Sequence, residues 1–93
     1  MRITLETFGV LESMIKEEAF AFPEKERIRL DHFFSFLMER YGSGIGEHLL
    51  PGGEFSSHYF VFINGRNIRL LENMETELKD GDRIFITTLV DGG

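Results

Sequence analysis

Only one stretch of this chain supports more than a single turn of helix, and segments of alternating residues flank it on both sides. Phe33, Phe34, Leu37, Met38 and Tyr41 recur at the i, i+1, i+4, i+5, i+8 spacing of an apolar helical stripe. Asp31 stands where an N-cap is wanted, and Gly42 stands where the helix should end. At about 100° per residue the stripe turns His32, Ser35 and Glu39 toward water and leaves Phe36 at its edge. One amphipathic helix has to bury its stripe against something else, and the flanking strands supply a sheet. The predicted class is α+β, a mostly antiparallel sheet laid over one main helix.

Residues 2–8 place Ile3 and Leu5 on one face and Arg2, Thr4 and Glu6 on the other, which is the period of a half-buried strand. After Gly9 the spacing of Leu11, Met14 and Ile15 allows at most a turn of helix, and a second strand over residues 19–22 is stopped by Pro23. Residues 43–58 hold two glycine clusters and exceed the usual connection length, so they read as a mobile loop. Tyr59, Phe60, Val61, Phe62 and Ile63 form a β-rich run that ends in the hairpin dipeptide Asn64-Gly65, with residues 66–70 returning. Residues 78–82 make another turn before a last alternating strand at 83–88. The expected order is ββαβ(β)β, with four to five strands, and periodicity leaves open whether the last strand runs parallel to the first. The domain is expected over residues 1–88 and a flexible tail over 89–93.

Composition narrows the function classes. Ten Lys and Arg against sixteen Asp and Glu in 93 residues give a net charge of −6 with no basic run, which argues against nucleic-acid backbone binding and favours protein partners with basic surfaces. A chain of this size cannot wall off a deep substrate chamber. The absence of cysteine excludes disulfides, thiolate metal sites and cysteine nucleophiles together. No apolar run approaches the ~20 residues of a membrane span, and the alternating start lacks a signal-peptide core, so the expected location is cytoplasmic.

Other candidate sites carry little. Gly42-Ser43-Gly44-Ile45-Gly46 has the glycine density of a phosphate loop, but it follows a helix and lacks the P-loop lysine. His48, Glu54 and His58 have no spacing that implies a metal site, and no metal is expected. His32 has no evident carboxylate partner, and Ser56-Ser57-His58 has no acid or oxyanion scaffold.

Three ordered motifs remain: Phe62-Ile63-Asn64-Gly65-Arg66-Asn67-Ile68, then Leu78-Lys79-Asp80-Gly81-Asp82-Arg83-Ile84, then Gly92-Gly93. Together they resemble the MoaD and ThiS family of ubiquitin-like sulfur carriers, MoaD most of all. Residues 30–42 resemble that family's helix, and Phe22-Pro23-Glu24 its second-strand exit. The resemblance implies a ubiquitin-like β-grasp fold. One departure bears on the pathway: Thr87-Thr88-Leu89-Val90-Asp91 stands where many molybdopterin-pathway members carry prolines, and it is closer to the tail of the ubiquitin-related modifier.

The resemblance further implies a cosubstrate that is not itself an enzyme and binds no cofactor. A ThiF/MoeB-like adenylating enzyme uses ATP to convert the carboxylate of Gly93 to an acyl-adenylate, and a sulfur nucleophile then displaces AMP to leave a thiocarboxylate. Gly92 supplies clearance, since a residue without a side chain threads a narrow channel. Molybdopterin biosynthesis with a MoaE-like large synthase subunit is the expected pathway, with transfer-RNA thiolation, thiamine biosynthesis and conjugation to target lysines as alternatives. Alternation adds a docking face: if Val61, Ile63, Ile84 and Ile86 point to the helix, Phe60, Phe62 and Phe85 point away from it. Thr87, with Leu89 and Val90 of the tail, completes the expected partner-binding set. The aromatic patch is either open to partners or covered by residues 43–58 or by the turn after Gly9.

Overall fold

The computed structural model describes residues 1–8, 15, 17–23, 27–42, 44, 49 and 58–88. Strand β1 (Arg2–Phe8) pairs antiparallel with β2 (Glu17–Ala21) on one side, from Arg2↔Ala21 to Glu6↔Glu17. On its other side it pairs parallel with β7 (Arg83–Thr88), from Thr4↔Arg83 to Phe8↔Thr87. Strand β4 (Tyr59–Ile63) lies antiparallel to β7, and the two-residue β5 (Arg66–Asn67) closes the order β2-β1-β7-β4-β5. The alternative left open by periodicity is thus settled as a parallel central pair. Such a pair requires a crossover connection, and the segment carrying the helix provides it.

Alternation decides what each strand buries. Ile3, Leu5, Val61, Ile63, Ile84 and Ile86 face the helix α1 (Leu30–Tyr41), which contributes Leu30, Phe33, Phe34 and Leu37. Thr7 is the polar member of the inner row, and its hydroxyl is satisfied by donating to the carbonyl of Ile15. Phe33 and Phe36 meet Phe20 and Phe22 edge-on at centroid distances of 5.0 to 6.0 Å across all four pairings. Leu49 belongs to the segment expected to be a loop, yet it is 1% exposed and part of the core.

The helix begins two residues earlier than the expected N-cap at Asp31 implies. Arg29, in extended conformation, occupies the N-cap position and makes no side-chain cap. Asp31 lies inside the first turn, where Arg29 grips it through Nε at 3.2 Å and Nη2 at 2.7 Å. Partial desolvation opposes ionisation of that carboxyl, but the hydrogen bonds and charge of Arg29 outweigh it and hold Asp31 below its ordinary value. The N–H of Leu30 donates to the carbonyl of Thr76 at 2.8 Å. That contact extends a second, small sheet in which β3 (Ile28–Arg29) pairs with β6 (Glu77–Leu78). Gly42, at φ +89°, ends the helix with its N–H on the carbonyl of Met38.

Asn64 and Gly65 both take positive φ, +52° and +84°, as the predicted tight hairpin requires. The returning strand is shorter than expected. After Asn67 the chain turns into a 3₁₀ segment, Ile68–Leu70, because the Asn67 side chain accepts the N–H of Arg69 at 2.9 Å.

A polar clasp joins this hairpin to the turn before β7. Asn64 Nδ2 donates to Asp82 Oδ1 at 2.9 Å, the N–H of Lys79 donates to Asp82 Oδ2 at 2.8 Å, and the N–H of Arg83 donates to Asn64 Oδ1 at 3.0 Å. Asp82 is only 8% exposed, so Asp82→Ala strands two donors. It should cost about 1–3 kcal/mol in urea unfolding, and a loss below a few tenths would show that water replaces the clasp.

Candidate docking face and C-terminal tail

The sheet face turned away from the helix carries Thr4, Glu6 and Phe8 on β1, Arg83, Phe85 and Thr87 on β7, and Phe60 and Phe62 on β4, none of them buried. Phe60 and Phe62 have ring centroids 6.4 Å apart, and Phe62 and Phe85 6.3 Å apart, so the three rings form one continuous strip. Their neighbours Val61, Ile63, Ile84 and Ile86 are at most 5% exposed, and the register read from alternation is therefore correct. Clustered, partly exposed aromatics of this kind are the residues that anchor protein interfaces.

Pairing sets the rows of this face. Thr87 lies between Phe8 and Phe60, and Phe85 lies between Glu6 and Phe62. Phe8 is 57% exposed and was missed as a docking residue. The signal was present, because the alternation that turns Arg2, Thr4 and Glu6 outward continues to Phe8. Arg69 was missed as well. Its guanidinium sits 5.9 Å over the Phe60 ring, a cation–π contact at the edge of the strip. Beside it a crevice of about 90 Å³ is lined by Tyr59, Phe60, Ile68, Arg69 and Met74. The phenol of Tyr59, opposite Thr88 at the end of β7, is pushed above its ordinary value by burial and stays neutral.

On the far side of the face, Arg83 lies 3.6 Å from Glu6 and 3.8 Å from Glu17. Phe60, Phe62, Phe85 and Thr87 are therefore brought together on one surface, at the end of the strand that leads to the tail. Leu89, Val90, Gly92 and Gly93 lie outside the described residues, as do His48, Glu54, Ser56, Ser57 and the internal Gly52-Gly53 pair. His58 is exposed in a turn.

No family model matches the chain. A protein of Archaeoglobus fulgidus named "Putative sulfur carrier protein" is 33% identical over 70 residues, covering 75% of this chain and 80% of that relative. The chain belongs to the ubiquitin-like sulfur carrier family. Small archaeal modifier protein 3 of Haloferax volcanii matches this chain over the whole length of both chains at 26% identity. The solution structure of small archaeal modifier protein 1 from Methanosarcina acetivorans superposes with a TM-score of 0.76 at 26% identity, covering 99% of this chain and 96% of that one. The β-grasp fold expected from the resemblance is thus the fold of this chain, with five strands in its main sheet and one long helix among the described residues. Its relatives are named both as carriers and as modifiers.

Proposed function

We propose that this protein is a cosubstrate that carries sulfur on the carboxylate of Gly93. An adenylating enzyme of the ThiF/MoeB kind would dock on the Phe60–Phe62–Phe85 strip and direct a carboxylate oxygen of Gly93 at the α-phosphate of ATP, releasing pyrophosphate. Hydrosulfide would then attack the acyl carbon, AMP would leave, and a thiocarboxylate would remain. The observation that carries this reading is the junction at Thr88. Strand β7 crosses the middle of the aromatic face and ends five positions before Gly93, and five extended residues reach at most ~17 Å, enough to enter a partner's active site from that face. The similarity to a sulfur carrier of Archaeoglobus fulgidus and the end-to-end match to a small archaeal modifier both support it.

The test is intact-mass analysis after incubation with the adenylating enzyme, ATP and sulfide. The expected product gains the mass of one oxygen-to-sulfur exchange, localised to Gly93, and the absence of cysteine removes persulfide as a confounding product. Unchanged mass in the presence of confirmed adenylation would overturn the reading. The match to a named modifier favours one second reading, capture of the acyl group by a target lysine, which would appear as lysine conjugates ending in Gly92-Gly93. For the sulfur acceptor we favour the molybdopterin precursor, held by a MoaE-like large subunit, on the residues 62–68 and 78–84 motifs. Transfer to a thiolated transfer RNA or a thiazole instead would reassign the pathway without touching the carrier chemistry.

Docking has its own expectation. Phe62→Asp should weaken binding to the adenylating enzyme by about 1–4 kcal/mol in calorimetric titration, because a charge replaces the central ring of the strip. Its melting temperature should stay close to that of the parent, since no inner-face residue is touched. Undiminished affinity would move the docking site elsewhere.

A further inference from the structure

The outer face carries charges as well as rings, and their layout makes the face complementary to itself. The row through Thr87 runs Phe8, Thr87, Phe60, so an aromatic stands one strand to either side of β7. The next row runs Glu17, Glu6, Phe85, Phe62, Asn67. Glu6 and Glu17 are directly opposed across β1 and β2, an unfavourable pairing of like charges. Arg83 stands 3.6 Å from one and 3.8 Å from the other, so two carboxylates share one guanidinium and a negative charge is left over. At the opposite edge, beyond Phe60, Arg69 makes no ion pair with any described residue. One edge of the face thus lacks a cation, and the other edge holds one to spare.

We propose that a second copy of this chain covers the face, about a two-fold axis that runs along β7. Rotation about that axis brings each strand of one copy opposite the strand equally far from β7 on the other side. Phe60 then meets the second copy's Phe8, Phe85 meets its own counterpart, and Arg69 comes over the second copy's Glu6 and Glu17. Every contact occurs twice, as an isologous interface requires. The rings bury one another, and each surplus carboxylate gains a guanidinium. Strands about 4.8 Å apart, rising about 3.3 Å per residue, give this face roughly a few hundred Å² per copy, below the ~800 Å² of a stable interface. The dimer is therefore weak, with a dissociation constant on the order of 10⁻⁴ M, and it excludes any other protein bound to the same rings.

The test uses the purified chain alone, so its failure leaves the thiocarboxylate reading untouched. Sedimentation equilibrium from roughly 20 µM to roughly 1 mM should show monomer and dimer, with the dimer weakened by added salt. Arg69→Glu and Glu17→Arg should each weaken association about tenfold, and their combination should restore it, because the reversed charges again face one another. A second measurement does not depend on affinity. Thr87→Cys, close to the axis, should form a disulfide-linked dimer under mild oxidation, whereas Ser35→Cys on the wet side of the helix should not. A wild-type chain that stays monomeric at the highest concentration overturns the proposal. So do single charge reversals without effect, a double reversal that fails to restore association, or equal cross-linking at the two cysteine positions.

Discussion

Appending one alanine after Gly93 is expected to abolish adenylation of this protein while leaving its unfolding curve unchanged. The reacting oxygen would be displaced by the ~3.5 Å span of one extended residue. A misplacement of about 1 Å already costs on the order of 100-fold in rate, so a displacement of this size leaves no measurable turnover. Deleting Gly93 should have the same outcome by withdrawing the carboxylate the same distance. The domain should not respond, because β7 ends at Thr88 and the inner-face residues Ile84 and Ile86 lie upstream of the change. ATP–pyrophosphate exchange measures the first effect and urea unfolding the second. Exchange at the parent rate in the extended protein would remove Gly93 from the chemistry and leave only the family membership and the docking face.

The parts of this molecule that could be read from sequence are those governed by a period. In β4 and β7 the alternation is unbroken, and a period of two allows only one assignment of faces once the helix side is chosen, so Phe60, Phe62 and Phe85 were placed correctly. The same rule applied to Phe8 would have extended the strip. Pairing was not legible, because alternation says which side of a strand is buried and nothing about which neighbour it joins. The parallel contact of β1 with β7 is therefore a property of the fold that no period in either strand records. The small sheet of β3 and β6 has two residues per strand, too few for any period. Local side-chain competition accounts for the remaining differences. Asn67 captures the N–H of Arg69 and bends the returning strand into a 3₁₀ segment, and Arg29 engages Asp31 so that it does not cap the helix. The tail chemistry was legible only through resemblance, since a Gly-Gly pair has no side chain from which a role could be read.

The second large effect lies on the opposite face of the sheet. Phe33 is fully buried, and its ring meets those of Phe20, Phe22, Phe34 and Phe36 at 5.7, 6.0, 6.3 and 6.5 Å. Phe33→Ala removes the centre of this cluster, and α1, anchored at its start by the contact of Leu30 with Thr76, cannot slide to fill the space. The expected cost is about 3–5 kcal/mol out of a total stability of roughly 5–15 kcal/mol for a natural domain. At about 4–8 °C per kcal/mol for a domain of this size, the melting temperature should fall by more than ~12 °C. Adenylation of the fraction that remains folded should be close to normal, because neither the aromatic strip nor the tail is altered. The contrast with Phe62→Asp is therefore a test of the whole assignment of faces, with one phenylalanine answering in stability and the other in affinity. If Phe33→Ala proved harmless to stability while Phe62→Asp unfolded the protein, the two faces would be exchanged, and the docking strip would have to be sought on the helix side.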